Sequence, residues 1–170
     1  MMKGKKKLLL TALAAVAGVS SQALAAGIVS TQSSFETEGI LVNISTRGYV
    51  GTGDNVMIAG FCVAGAPLTV VVRALGPSLA SRGVAQTLPD PMFEIRDPAS
   101  GGLYYSNDDW VQDSSASYLR AIGAQPQNSK EAAAIVTAYP GCYTIIVKGA
   151  RGATGVGLVE VFDITELMSS

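Results

Sequence analysis

The segment Leu68–Leu75 (LTVVVRAL), followed by the dipeptide Gly76-Pro77, decides the fold class. Its three consecutive valines favour a strand, and Gly-Pro stops regular structure, so the segment predicts a buried strand with a sharp end. Similar short runs, separated by Gly, Pro, Asn and Asp, recur at residues 40–47, 56–63, 92–97, 103–106, 132–138, 142–148 and 156–164.

These runs predict an all-β protein with about eight or nine strands and one or two short helical turns. Residues 78–83 and 115–122 are the candidate turns, because Tyr118, Leu119 and Ile122 share one helical face. Many short strands at regular spacing are typical of an antiparallel β-sandwich, here of jelly-roll-like type.

The N-terminus predicts export from the cytoplasm. Four lysines within residues 3–7 precede an uncharged apolar run at residues 8–19, and Ala23-Leu24-Ala25 supplies a small-x-small cleavage site. This pattern is typical of a signal peptide over residues 1–25 that is cleaved after Ala25. A membrane anchor is the alternative, but the run has 12 residues, and a spanning helix needs about 20.

The remaining chain is expected to form one domain. Residues 26–39 are polar and rich in small residues and are interpreted as a lead-in arm, residues 40–165 as the β-sandwich domain, and residues 166–170 as a tail. No later stretch of the sequence is apolar enough to predict a transmembrane segment. The predicted location is extracytoplasmic: secreted, periplasmic or at the cell surface.

Charge limits the classes of partner. The chain has 12 basic and 13 acidic residues, and loss of the four signal lysines leaves 8 basic and 13 acidic, a net charge of −5. Such a balance argues against nucleic acid and against anionic lipid as partners. Charged residues make up only 15% of the chain, which favours self-association or a crowded surface setting.

Cys62 and Cys142 are the two cysteines, and both lie in apolar, strand-like surroundings. An even count in an exported chain predicts a disulfide between them. The alternative is a pair of buried free thiols. A zinc site is disfavoured because the chain has no histidine to complete the ligand set.

The absence of histidine also excludes the Ser-His-Asp and Cys-His arrangements of most secreted hydrolases. A glycosidase needs only two carboxylates, so it stays a distant alternative. The candidate carboxylates show no pairing in the sequence; they are Asp90, Glu94, Asp97, Asp108, Asp109, Asp113 and Glu131.

The densest cluster of oxygen ligands follows the strand at residues 103–106. Asn107, Asp108, Asp109 and Asp113 predict a calcium site, although the spacing lacks the EF-hand pattern. The alternative is a strand-ending turn in which Asp and Asn bind the backbone.

Aromatic residues flank this cluster. Tyr104, Tyr105 and Trp110 could stack on a sugar ring, so a glycan or a surface protein is the predicted type of partner. The alternative, which we favour, is that Trp110, the single tryptophan, covers the edge of the core.

Seven phrases together resemble a module of exported surface proteins of Verrucomicrobia-like environmental bacteria. They are LVNISTRG (41–48), GTGDNV (51–56), IAGF (58–61), RALGPSL (73–79), SNDDW (106–110), PGCYT (140–144) and TGVGLVEVFD (154–163). The resemblance implies an extracellular β-sandwich and brings no catalytic residues. The PGCYT turn and the closing strands also resemble pre-peptidase C-terminal domains at the level of fold. Cys142 stands where the module has a small residue, so the disulfide is a local addition.

These features predict an exported, non-enzymatic β-sandwich module that acts by binding or assembly at the cell surface or in the extracellular matrix. The alternatives are a carbohydrate-binding module that uses the aromatic residues, and a self-assembling subunit that uses free strand edges.

Overall fold

A computed structural model describes residues 43–168 of the chain. The predicted signal peptide (1–25), its cleavage at Ala25 and the predicted arm (26–39) lie outside the described residues, as do the first three residues of the predicted domain and the last two of the tail.

The described part of the chain contains eight strands. They are β1 (Asn43–Val50), β2 (Met57–Val63), β3 (Leu68–Leu75), β4 (Pro91–Arg96), β5 (Leu103–Asn107), β6 (Ala132–Ala138), β7 (Gly141–Gly149) and β8 (Gly155–Asp163). One α-helix, α1 (Ala116–Ala121), lies between β5 and β6. Short 3-10 turns occupy Pro77–Arg82, Trp110–Gln112, Ala150–Gly152 and Thr165–Met168.

The strands pair into two four-stranded sheets. The first sheet has the order β1-β8-β3-β6 and the second has the order β2-β7-β4-β5, and all six pairings between these strands are antiparallel. The four pairs alternate between the two sheets: β1 pairs with β8 in the first sheet, β2 with β7 in the second, β3 with β6 in the first and β4 with β5 in the second. This is the jelly-roll arrangement. The predicted fold class is therefore confirmed.

The main core lies between the two sheets. Apart from the bulged strand β5, alternate strand residues point into it, among them Val70 and Val72 of β3, Phe93 of β4 and Ile145 of β7. Tyr143 stacks on Phe61 with ring centroids 5.1 Å apart. The alternating burial of β4, β7 and β8 follows from sheets that present one face to this core.

A second, smaller core covers the outer face of the first sheet. Val71 of β3 and Ala133 of β6 pack there against Leu119 of α1 and against Trp110. This second core explains the unbroken apolar run of β3, since that strand is covered on both faces. A six-residue helix is too short to be stable alone, so packing on the sheet holds α1 in place.

The predicted disulfide is confirmed and joins Cys62 of β2 to Cys142 of β7. The two residues are direct partners in the β2–β7 ladder, and their Cα atoms are 4.0 Å apart. The bond lies on the outer face of the second sheet, where Cys142 is exposed and Cys62 is half-buried. Their apolar neighbours Phe61 and Tyr143 point into the core, because successive residues of a strand face opposite sides. A disulfide of this kind persists in oxidising compartments outside the cytoplasm.

Among the described residues, no helix combines the length and the apolar character that crossing a bilayer requires.

Candidate functional site

The turn that follows β5 borders an open cleft of about 350 Å³. Both the calcium prediction and the sugar-stacking prediction fall on this part of the chain. The cleft is lined by Met92, Tyr105, Ser106, Asn107, Asp108, Asp109, Gln112, Asp113 and Ser114.

Asp113, which lines the cleft, is the centre of a hydrogen-bond network. Its Oδ2 accepts from the Tyr105 hydroxyl at 2.8 Å and from Asn107 Nδ2 at 3.2 Å. Its Oδ1 accepts from both the backbone N–H and the hydroxyl of Ser115, at 2.8 and 2.5 Å. The carboxylate therefore orients three neighbouring side chains.

Two of those side chains cap the free edge of β6. Asn107 Oδ1 accepts from the backbone N–H of Ala133, and Ser115 Oγ accepts from the backbone N–H of Ile135, both at 3.0 Å. Further along the strand, the Tyr104 hydroxyl donates to the carbonyl of Thr137 at 2.5 Å. Since an unpaired strand edge invites pairing with another chain, these side chains close β6 against such contacts.

The predicted calcium ligands therefore separate into two groups. Asn107 and Asp113 belong to the network that closes the β6 edge, whereas Asp108 and Asp109 lie on the other side of the turn with Asp90. Carboxylate oxygens of Asp90, Asp108 and Asp109 lie within 4.8 Å of one another. Oxygens at this spacing are chemically suited to a hard cation such as Ca²⁺.

Asp90 was missing from the predicted calcium set, although it was noted as a carboxylate. It lies just before β4, far from the β5 turn in the chain, and the pairing of β4 with β5 brings the two together. Asp108 is exposed, but partial desolvation of its carboxylate raises its pKa, the charges of Asp90 and Asp109 raise it further, and Arg151 opposes the shift. Asp109 also accepts a hydrogen bond from Gln112 Nε2 at 3.0 Å.

The three aromatic residues do not form a shared stacking surface. Trp110 is only 7% exposed, its Nε1 donates to the carbonyl of Asn128 at 2.9 Å, and the Arg120 guanidinium lies 4.7 Å from the ring centroid. The structure thus places Trp110 at the edge of the core, as the favoured alternative has it.

A β-bulge in β5 explains why the consecutive residues Tyr104 and Tyr105 both face the main core. The register of β5 shifts opposite Ile95 and Arg96, and both Tyr104 and Tyr105 pack against the main core. Tyr104 meets the Tyr143 ring edge-on, with centroids 5.2 Å apart. Burial is the first cause that raises the pKa of each tyrosine, and for Tyr105 the hydrogen bond to Asp113 adds to it. An extra residue in one strand turns consecutive side chains toward one side of the sheet.

Glu131, predicted only as one of the unpaired carboxylates, holds the scaffold together. It is fully buried, and its Oε1 accepts from the backbone N–H groups of Gly76 and Ser78, both at 2.9 Å. The Ser78 hydroxyl donates to the same oxygen at 2.6 Å, and Oε2 accepts from the Asn128 N–H at 3.3 Å. The carboxylate joins the loop after β3 to the loop before β6.

Gly76 is required for this contact. A Cβ on Gly76 would lie 2.0 Å from the carbonyl oxygen of Leu88, so that no side chain fits. The Gly76-Pro77 pair was interpreted only as the end of a strand. Nothing in the local sequence indicates that its N–H binds a carboxylate 55 residues later.

The remaining candidate carboxylates hold local structure. Glu94 lies between Lys148, at 2.7 Å, and Arg96, and the hydrogen bond from Lys148 is the main cause that lowers the pKa of Glu94. Asp97 accepts from the N–H groups of Ala99 and Ser100 in a tight turn, and the Ser100 bonds lower the pKa of Asp97.

No protein-family model and no curated protein matches the chain. Among solved structures, the chain is similar to the pre-peptidase C-terminal domain of a collagenase from Bacillus anthracis. The sequence identity is 15%, the TM-score is 0.44, and the match covers 71% of this chain and 89% of that one.

Proposed function

We propose that this protein is an exported, non-enzymatic β-sandwich module that acts by binding or assembly at the cell surface or in the extracellular matrix. The main support for the proposal is that side chains cap the strand edge on one side of the sandwich but not the edges on the other side. Asn107 at the end of β5 and Ser115 at the start of α1 close the β6 edge, whereas β1 and β2 lie at the opposite edges of their sheets.

The open side also presents apolar side chains. Tyr49 of β1 is 62% exposed and Ile58 of β2 is 63% exposed. Exposed apolar residues beside strand edges are suited to contact with another chain. A module that binds or assembles needs such a surface.

The positions of the carboxylates support a non-enzymatic role. Asp113 and Glu131 accept four hydrogen bonds each within the scaffold, and Glu94 lies between two cations. Asp97 accepts hydrogen bonds within its own tight turn. Asp90, Asp108 and Asp109 remain; they come from two separate segments, and Asp108 and Asp109 line an open cleft. A catalytic pair needs a rigid surrounding that fixes both groups relative to a bound substrate.

The location is inferred from two independent features. The N-terminal residues carry the pattern of a signal peptide, and the domain carries a disulfide on its surface. Together they support a function outside the cytoplasm.

The experiment is a binding assay with the purified, oxidised chain and cell-surface material from the producing organism. We expect saturable binding that an Asp108→Asn variant retains, and no hydrolysis of polysaccharide substrates. Hydrolysis that Asp108→Asn abolishes would overturn the proposal in favour of the carboxylate-dependent glycosidase.

A further inference from the structure

We infer that strand β2 (Met57–Val63) pairs antiparallel with β2 of a second copy of this chain. The sheet β2-β7-β4-β5 of one copy and the same sheet of the other copy then form one continuous sheet. This inference rests on the proposed function and specifies the partner of the open side. The contact is made by backbone groups of β2, and three properties of that strand support it.

The first observation is that β2 is the least protected of the four sheet edges in the described chain. β6 is capped by side chains, β5 has five residues and a bulge, and β1 contains Arg47. Natural proteins use such devices to prevent pairing of edges. β2 has seven residues (MIAGFCV) with neither charge nor proline. Within residues 43–168, none of the hydrogen bonds made by side chains or loops reaches β2.

The second observation identifies which backbone groups point outward. Cys62 and Cys142 are direct partners with Cα atoms 4.0 Å apart, the short spacing typical of a non-hydrogen-bonded antiparallel pair. The N–H and C=O groups of Cys62 therefore point away from β7, toward the free edge. Because this direction alternates along a strand, Gly60 and Ile58 present their groups to the same edge.

The third observation is that β2 is complementary to itself. Antiparallel pairing centred on Gly60 places Gly60 opposite Gly60 of the copy and Ile58 opposite Cys62 of the copy. All three outward residues then form hydrogen-bonded pairs, about six bonds in total. The large Phe61 lies opposite the small Ala59 of the copy, and no charges are brought together.

The disulfide prepares the strand for this contact. It ties Cys62, one of the outward residues, covalently to β7, so that less freedom is lost when a second strand binds. Pairing about Gly60 is two-fold symmetric and uses the β2 edge of both copies. Such an interface closes at a dimer.

The test compares the oxidised wild type with two variants, each made in the full chain expressed in a bacterial host. Ile58→Pro removes an outward N–H, which an edge strand tolerates, and with its two-fold copy this deletes two of the about six bonds. Ile58→Thr removes the exposed apolar side chain but keeps the N–H. Sedimentation velocity over a concentration series measures association.

We expect a concentration-dependent dimer that Ile58→Pro weakens by about tenfold or more, while Ile58→Thr changes the dissociation constant by less than about threefold. In the wild type, the amides of Ile58, Gly60 and Cys62 should become protected from hydrogen exchange as concentration rises. The exchange measurement decides the matter even if Ile58→Pro does not fold.

A wild type that stays monomeric over the whole series would overturn the inference. Protection of the three amides that is independent of concentration would also overturn it, since the edge would then be covered within one chain. Equal weakening by the Pro and Thr variants would assign association to the side chain and not to the strand edge. A monomer that still binds cell-surface material would leave the proposed function standing.

Discussion

Asp113→Ala should destabilise the protein and open the β6 edge. The substitution deletes four hydrogen bonds, from Tyr105, Asn107 and the two donors of Ser115, at distances of 2.5–3.2 Å. A hydrogen bond contributes about 0.5–1.5 kcal/mol net, and Asp113 is partly exposed, so that water replaces part of the loss. We therefore expect a decrease of about 2–3 kcal/mol in the free energy of unfolding.

The assay is urea unfolding of the oxidised protein, together with hydrogen exchange at two amides. Asn107 and Ser115 lose their orientation in the variant, so the amides of Ala133 and Ile135 should exchange faster. Asp109→Ala is the matched control, because Asp109 lies in the same turn and accepts one side-chain bond, from Gln112. We expect that control to change stability by less than about 0.5 kcal/mol.

Equal effects of Asp113→Ala and Asp109→Ala on unfolding would show that the four hydrogen bonds of Asp113 do not stabilise the fold. Unchanged exchange at Ala133 and Ile135 in a destabilised Asp113→Ala would also refute the reasoning, since Asp113 would then stabilise the turn without holding the edge cap.

Four further predictions address other parts of the protein. Glu131→Ala should lower the free energy of unfolding by about 3–5 kcal/mol because it leaves buried N–H donors without an acceptor, and Glu131→Gln should cost less; equal costs in urea unfolding would contradict this. Replacing both cysteines of the Cys62–Cys142 bond by serine should cost about 4 kcal/mol, from the loop that the bond closes; a cost below about 1 kcal/mol in unreduced samples would show that the strands need no cross-link. The pKa of Asp108 is raised in the folded protein, so the charged carboxylate lowers the free energy of unfolding at pH values above that pKa. Asp108→Asn should therefore be more stable than the wild type at pH 7. The difference in the free energy of unfolding should vanish in acid, where Asp108 is protonated. If the calcium prediction is right, added Ca²⁺ should raise the free energy of unfolding of the wild type, measured in urea, and should not change that of Asp108→Asn. Equal responses of the two proteins to Ca²⁺ would contradict the calcium prediction.

The fold class was predictable because its signals are local. The valine run of β3, the Gly76-Pro77 stop and the alternating runs of β4 and β8 each specify a strand within a few residues. The pairing of Cys62 with Cys142 was predictable for another reason, since two cysteines leave one choice of bond within the chain.

The organisation of the site was not predictable, because it depends on contacts between distant residues. Asn107 was predicted as a calcium ligand from its neighbours in the sequence, and the contact that the sandwich gives its Oδ1, with an amide 26 residues later at the edge of β6, was not predicted. Asp90 joins Asp108 because β4 pairs with β5.

Residue size, branching and turn chemistry act over a few neighbouring positions, so the sequence alone indicates which segments of this protein form strands. The bounds are less exact, since the first strand was predicted at residues 40–47 and β1 spans Asn43–Val50. Only the tertiary structure decided which polar side chains meet. Strand order and register set these distances across 20–55 residues of chain. They place Glu131 beside Gly76, place Asn107 and Ser115 against the edge of β6, and leave the edge of β2 open.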